Sequence, residues 1–336
     1  MAAVKQRSPT PPEHSKPTTA TSSVPLYSAQ YFTLCGIGGA IACGPTHTLM
    51  CPLDVVKCNA QVDPKHFGQG PIRGLQYIYS GRAVDLGFLP GVRGVLKGWA
   101  PTFVGYSFQG AGKYGLYEFF AYQYSQLIGQ EAAAKYKPVV WAAASASAEF
   151  FADIALCPFE AVKVRIQTQP KYAVGLMDGM RRLAAEEGAG ALYAGLVPLW
   201  ARQIPYTVVK FVAFEAIADQ LYKLSPKPKE QMNKVEQLGV VFSAGYIAGI
   251  LCATASHPAD VLVSKINNVK MAGSVVEKAK RIVYGDEAAG VKGIGMRGLW
   301  VGLPTRIVMI GTLTGLQWLI YGSFKAAVGL PTPGGH

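Results

Sequence analysis

Five side chains carrying donor nitrogens sit inside long apolar stretches of this 336-residue chain: Gln109, Lys113, Arg202, Lys210 and Gln317. Charged groups in an apolar setting are costly, and they persist where they pair with one another or meet a solute. Cations and amides converging on one place offer several donors at once, which suits an anion rich in acceptor oxygens. An acid, Glu149, and an imidazole, His47, stand in similar surroundings and could take up and give back a proton. Glu149 could equally be a fixed counter-ion to one of the lysines, and His47 a helix-packing residue. No Ser/His/Asp set, HxxxxD acyltransferase box or cluster of metal ligands accompanies them. The pattern therefore points to moving charge, not to an enzyme, and implies no metal and no cofactor.

A second set of ionisable residues recurs. Pro52-Leu-Asp54-Val-Val-Lys57 returns as Pro158-Phe-Glu160-Ala-Val-Lys163 and again as Pro258-Ala-Asp260-Val-Leu-Val263. Another landmark repeats with similar spacing: Tyr117-Glu118, Phe214-Glu215 and Tyr321-Gly322, the last followed by Lys325. Recurrence at about 100 residues signals tandem structural repeats. A proline inside a helix removes a backbone hydrogen bond and bends it. The acid two residues later and the base three beyond that share one helix face. Three such helices, arranged symmetrically, can close one end of a bundle with ion pairs between acids and neighbouring bases. Val263 leaves the third base missing, although Lys265 lies two residues on. Glu118, Glu215 and Lys325 allow at most one cross-helix pair at the other end.

The elements that must hold these groups follow from the hydropathy. Half the residues are apolar and only 15% are charged, against about 25% in an ordinary soluble domain. Apolar stretches near 31–58, 100–124, 138–166, 196–222, 237–265 and 303–327 each reach the roughly 20 residues that span a bilayer core. The expected fold is an all-α membrane protein of six transmembrane helices in three pseudo-threefold repeats, at 29–128, 129–228 and 229–327. Segments near 64–90, 170–190 and 268–295 each hold a short amphipathic helix. Residues 1–28, rich in Pro, Ser and Thr, read as a disordered tail, and 328–336 as a C-terminal tail. The acid-poor start resembles a transit peptide, but its prolines and sparse arginines break any amphipathic helix, and no secretory signal pattern is present. The six cysteines lack CxxC pairing and read as small buried apolar residues. Cys51, Cys157 and His257 each precede a motif proline, which leaves a soft-metal trio conceivable. The net charge of +12 favours anionic lipid or an anionic solute over nucleic acid.

Counting back from the repeated landmarks sorts scaffold from site. Five residues before the motif prolines stand His47, Asp153 and Ala253, and nine before them Cys43, Glu149 and Gly249. His47 with Asp54, and Glu149 with Glu160, therefore share a helix face. Five before the Glu118, Glu215 and Gly322 positions stand Lys113, Lys210 and Gln317, and thirteen before Glu215 stands Arg202. Scaffold residues repeat threefold, whereas a site for an asymmetric solute need not. The count places Gln109, Lys113, Arg202, Lys210 and Gln317 in one cationic centre.

The triple proline motif over 30–327 resembles the mitochondrial carrier family. Longer blocks are similar to its phosphate-carrying members: Gly44-Pro-Thr-His47-Thr, Lys97-Gly-Trp-Ala-Pro101-Thr, Ser145-Ala-Ser-Ala-Glu149-Phe-Phe-Ala-Asp153, Arg202-Gln-Ile-Pro-Tyr-Thr207 and Gly311-Thr-Leu-Thr-Gly-Leu-Gln317-Trp. The resemblance implies a multi-pass protein of the mitochondrial inner membrane, with both termini toward the intermembrane space and the short helices in the matrix. It implies transport of inorganic phosphate with a proton, or in exchange for hydroxide, by a monomer in contact with lipid such as cardiolipin. Copper is the alternative solute on the same scaffold. Gln109, Lys113, Arg202, Lys210 and Gln317 would then bind phosphate, and Glu149 and His47 would couple the proton. Asp54, Lys57, Glu160, Lys163 and Asp260 would form the matrix gate, with Glu118, Glu215 and Lys325 the cytosolic one. Family-style pairing gives Asp54–Lys163 and Asp260–Lys57 and leaves Glu160 without a base.

Overall fold

The structure is a computed structural model that describes residues 24–67, 69–268, 275–285, 293–301 and 303–334. Six long helices dominate it: α1 (Ala29–Val62), α2 (Trp99–Ile128), α3 (Lys137–Thr168), α4 (Leu196–Leu224), α5 (Lys234–Asn268) and α6 (Leu303–Ala327). Each lies within a few residues of an apolar stretch in the sequence. α1, α3, α5 and α6 are long and apolar enough to cross a membrane on composition alone. α2 spreads tyrosine, glycine and glutamine along its length, as suits a wall helix with a polar inner face.

Each helix packs on the next, α1 to α2 through α5 to α6, and α6 returns to α1, so the six close into a ring. Small residues let the walls approach. Gly39 of α1 and Gly110 of α2 sit so close that a Cβ on either would strike the other's carbonyl oxygen. Large apolar side chains such as Leu49, Phe108, Val139 and Val308 point outward. The outer wall is thus apolar and the ring's interior carries the polar groups.

Pro52, Pro158 and Pro258 lie inside α1, α3 and α5. Short helices Pro71–Tyr79 and Leu176–Glu187 brace this motif end. Ile78 of the first joins Cys51, Val55 and Val56, and Leu183 of the second joins Val162 and Ile166. Val275–Tyr284 is the corresponding helix of the third repeat. The side chains of Val263 and Lys265 lie outside the described residues.

The other end holds the chain termini. Ser28 caps α1 by accepting from the Tyr31 N–H. Val24 packs with Tyr31, Cys35 and Leu330, so the last residues of the expected N-terminal tail belong to the packed body; residues 1–23 lie outside those described. The C-terminal segment folds over the same end. Lys229 Nζ donates to the Thr332 (3.1 Å) and Gly334 carbonyls, and Thr332 Oγ1 donates to Gln237 Oε1 at 2.7 Å.

Candidate functional site

The centre of the ring is buried and crowded with polar groups. Gln109, Lys113, Glu149, Asp153, Lys210 and Gln317 are all buried, from α2, α3, α4 and α6. Lys113 Nζ lies 2.9 Å from Glu149 Oε2. Gln109 Nε2 donates to Glu149 Oε1 at 2.8 Å and to Asp153 Oδ1 at 3.0 Å. Lys210 Nζ donates to Gln317 Oε1 at 2.5 Å, and Gln317 Nε2 reaches His47 Nδ1 at 3.3 Å. His47 also bonds the Cys43 carbonyl at 2.9 Å and stacks on the Tyr106 ring at 3.9 Å. Of the two central ammonium groups, Lys113 and Lys210, only Lys113 has a carboxylate in ion-pair contact among the described residues.

Toward the motif end, Lys163 Nζ meets Asp54 Oδ2 at 2.9 Å and Glu160 Oε2 at 3.6 Å. Glu160 is further held by Arg202 of α4 at 3.7 Å and by the Tyr106 hydroxyl at 3.5 Å. Asp260 accepts from Arg306 of α6, which also donates to Ser256 at 3.0 Å. Lys57 is exposed. Among the described residues one ion pair, Asp54–Lys163, links two odd-numbered helices directly.

The termini end is sealed more thickly. Lys325 Nζ is fully buried, 2.9 Å from Glu118 Oε1 and 3.4 Å from the Tyr31 hydroxyl. Tyr31 and Tyr321 both donate to Glu118, and Tyr117 donates to Glu215 at 3.4 Å. Beneath them Tyr114, Tyr117, Phe211, Phe214, Trp318 and Tyr321 form an aromatic plug, with Phe214 stacked flat on Trp318. This end is shut while the opposite acids stay partly exposed. A ring of six helices with a polar centre and two differently sealed ends is the geometry of a solute pathway opened alternately from each side.

Known proteins agree with that reading. The family described as mitochondrial carrier protein matches residues 28–126 and 134–225. The chain belongs to the mitochondrial carrier family. Mitochondrial phosphate carrier protein 3 of Arabidopsis thaliana is 49% identical over 98% of this chain and 86% of its own. The probable mitochondrial phosphate carrier protein of Schizosaccharomyces pombe is 48% identical over 95% and 97%. Solute carrier family 25 member 3 of Homo sapiens is 51% identical over 91% and 79%.

Three sequence expectations about this carrier change. Arg202 does not join the central cations; it sits with Glu160 at the motif end, because thirteen residues along α4 place it several turns below Glu215. Glu160 is not without a base, since Lys163 of its own helix and Arg202 both reach it. Asp260 pairs with Arg306 rather than Lys57, because the α5–α6 wall brings a guanidinium closer than the opposite helix brings an ammonium.

The residues before the motif prolines also resolve. Cys51 Sγ donates to the Lys97 carbonyl at 3.5 Å and His257 Nε2 bonds the Val301 carbonyl at 3.1 Å, while Cys157 packs with Leu156, Tyr106 and Leu199. For Cys51 and His257, the bond ties the odd helix to the turn before the following even helix. The three do not converge, and no cluster of three metal-ligating side chains occurs among the described residues. Asp153, Tyr106 and Arg306 are polar contributors that the motif count left without a role. Asp153 had a signal, standing one helical turn from Glu149; the roles of Tyr106 and Arg306 emerge only across helices.

Proposed function

We propose that this carrier moves inorganic phosphate together with a proton, or equivalently against hydroxide, across the mitochondrial inner membrane by alternating access. The observation that carries the reading is the buried pair Lys113 and Lys210. Glu149 compensates one of them, whereas Lys210 meets the Gln317 amide oxygen and the Tyr114 ring and, among the described residues, no carboxylate in ion-pair contact. One anionic charge would complete that centre, and phosphate's acceptor oxygens match the ammonium and amide donors. The relatives named as phosphate carriers support the same solute.

Energetics favour a coupled proton. Moving one negative charge into a compartment held negative costs roughly 2.3 kcal/mol per 100 mV. Phosphate monoanion accompanied by a proton avoids that cost and draws on the pH gradient. Glu149 and His47 are the coupling groups in this reading, since phosphate arriving at Lys113 competes with the Glu149 carboxylate. Glu118, Glu215 and Lys325 then serve the cytosolic gate, and Asp54, Glu160, Lys163 and Asp260 the matrix gate. Three repeats around one centre suffice as a monomer, and Arg165, Lys171, Arg181 and Arg182 near the motif end suit anionic lipid such as cardiolipin.

Purified carrier in liposomes, given labelled phosphate with and without an acid-outside pH gradient, tests this. Uptake should require the protein and rise with the gradient. Uptake of phosphate that ignores the gradient removes the proton; absence of phosphate uptake in an active preparation removes the solute.

A further inference from the structure

We propose that the coupled proton is held by a carboxyl pair, Glu149 and Asp153, rather than by Glu149 alone. This rests on the proton-coupled reading above. Both side chains are fully buried, one turn apart on α3, and a single amide nitrogen of Gln109 donates to one oxygen of each. Their remaining oxygens are unequal. Neither Glu149 Oε2 nor Asp153 Oδ2 has a hydrogen-bond partner among the described residues, but Glu149 Oε2 lies 2.9 Å from the Lys113 ammonium, whereas Asp153 Oδ2 is buried with no cation in ion-pair contact among those residues.

Charge arithmetic then assigns the proton. Lys113 neutralises one carboxylate, and a second bare carboxylate beside it in a buried site would be unsupported. An oxygen that meets no donor, next to another acceptor, is where an O–H belongs. In the closed form seen here, Glu149 is the anion paired with Lys113 and Asp153 carries a proton. The other groups facing this pair are Cys43 of α1, Tyr114 of α2, Cys157 of α3, Lys210 of α4 and, at longer range, Arg202 of α4. Cys43, Cys157 and Tyr114 carry no positive charge, and among the described residues Lys210 donates to Gln317 and Arg202 meets Glu160, so neither forms an ion pair with this carboxyl pair. When phosphate draws Lys113 toward itself, Glu149 loses its counter-ion and takes the proton held by Asp153, which is refilled by one proton from the side that is open. Release of phosphate on the far side returns Lys113 to Glu149 and expels one proton there. Asp153 keeps the pair from ever holding two bare charges and passes the mobile proton to and from Glu149, so that the pair holds one proton when empty and two when loaded.

The test compares two modes of the same reconstituted carrier: uptake driven by a pH gradient, and phosphate/phosphate exchange, which moves no net proton. Asp153→Asn should lower the ratio of gradient-driven uptake to exchange by roughly tenfold or more, the scale of a lost proton-transfer partner. Asp153→Glu should recover much of it. A simple packing role would lower both modes together and leave the ratio alone, which overturns the proposal, as does a wild-type ratio in Asp153→Asn. Infrared difference spectra on adding phosphate give a second readout that does not need that variant. Wild-type carrier should show a protonated-carboxyl C=O band that shifts in Gln109→Leu, where the shared donor is gone; absence of such a band also overturns the pair. If the wild type itself ignores the pH gradient, the proton-coupled reading fails first, and the exchange assay still shows that the protein is active.

Discussion

Lys325→Gln should open the termini end. Lys325 is fully buried and holds Glu118 at 2.9 Å, with Glu215 buried nearby against Tyr117. Removing one partner of a fully buried ion pair costs about 3–5 kcal/mol, because the other charge is left behind. Glu118 keeps 15% of its side chain exposed and retains the Tyr31 and Tyr321 hydroxyls, so the lower range, about 2–3 kcal/mol, applies. At about 1.4 kcal/mol per decade, that shifts the balance of closed and open forms by roughly 30- to 140-fold. The penalty falls on the closed form, where the acids are dry, and not on the open form, where water reaches them. A cysteine placed at Ala218, which is fully buried beside the plug, reports the change on a background without native cysteines. Its labelling by a membrane-impermeant maleimide should accelerate by tens-fold in Lys325→Gln. The double variant Glu118→Gln/Lys325→Gln removes the stranded charge and should label more slowly than the single one. A labelling rate within about threefold of the parent, under 1 kcal/mol on the same scale, refutes the argument. So does a double variant as fast as the single.

Lys113→Gln and Lys210→Gln should each depress phosphate uptake more than Arg202→Gln, because Arg202 meets Glu160 at the motif end rather than the central cluster; initial uptake rates in liposomes decide this, and an equal or larger loss in Arg202→Gln puts Arg202 back at the solute. Gly110→Val should force α1 and α2 apart, since the Gly39 carbonyl leaves no room for a side chain; a clear drop in the melting temperature of detergent-solubilised protein is expected, and an unchanged one contradicts the close contact. The Val174 N–H and then the Arg182 guanidinium hold the Asp178 carboxyl below its ordinary range. Its support for the Leu176–Glu187 helix is therefore present above the usual carboxylate range and is lost as pH falls through the lowered value. Amide protection over 174–187, expressed relative to the intrinsic exchange rate at each pH, should fall on acidification in the wild type and be low at every pH in Asp178→Asn.

Much of the architecture is legible in the chain because it depends on one dimension only. A bilayer sets a minimum apolar length, so six stretches locate six helices to within a few residues. Helical periodicity then fixes which residues share a face and at what depth. That is why Lys113, Lys210 and Gln317, counted from a repeated landmark, do meet at one level, and why Asp54 finds Lys163 and Glu118 finds Lys325. The same periodicity placed Glu149 and Asp153 one turn apart without saying that Gln109 would bridge them.

What the sequence could not decide is lateral. Register gives a side chain its height and direction on its own helix, whereas a partner is chosen by the gap to the neighbouring helix. That gap depends on proline bends, on glycine contacts such as Gly39 with Gly110, and on which end of the ring is closed. Asp260 therefore turns to Arg306 across the tight α5–α6 wall rather than to Lys57 across the mouth, and Arg202 descends to Glu160 instead of joining the central lysines. The spans, the repeat and the depth of each charge came from the chain. The choice of partner came from the packing, because ion pairs and hydrogen bonds fall off within an ångström or two, a distance that only the assembled helices set.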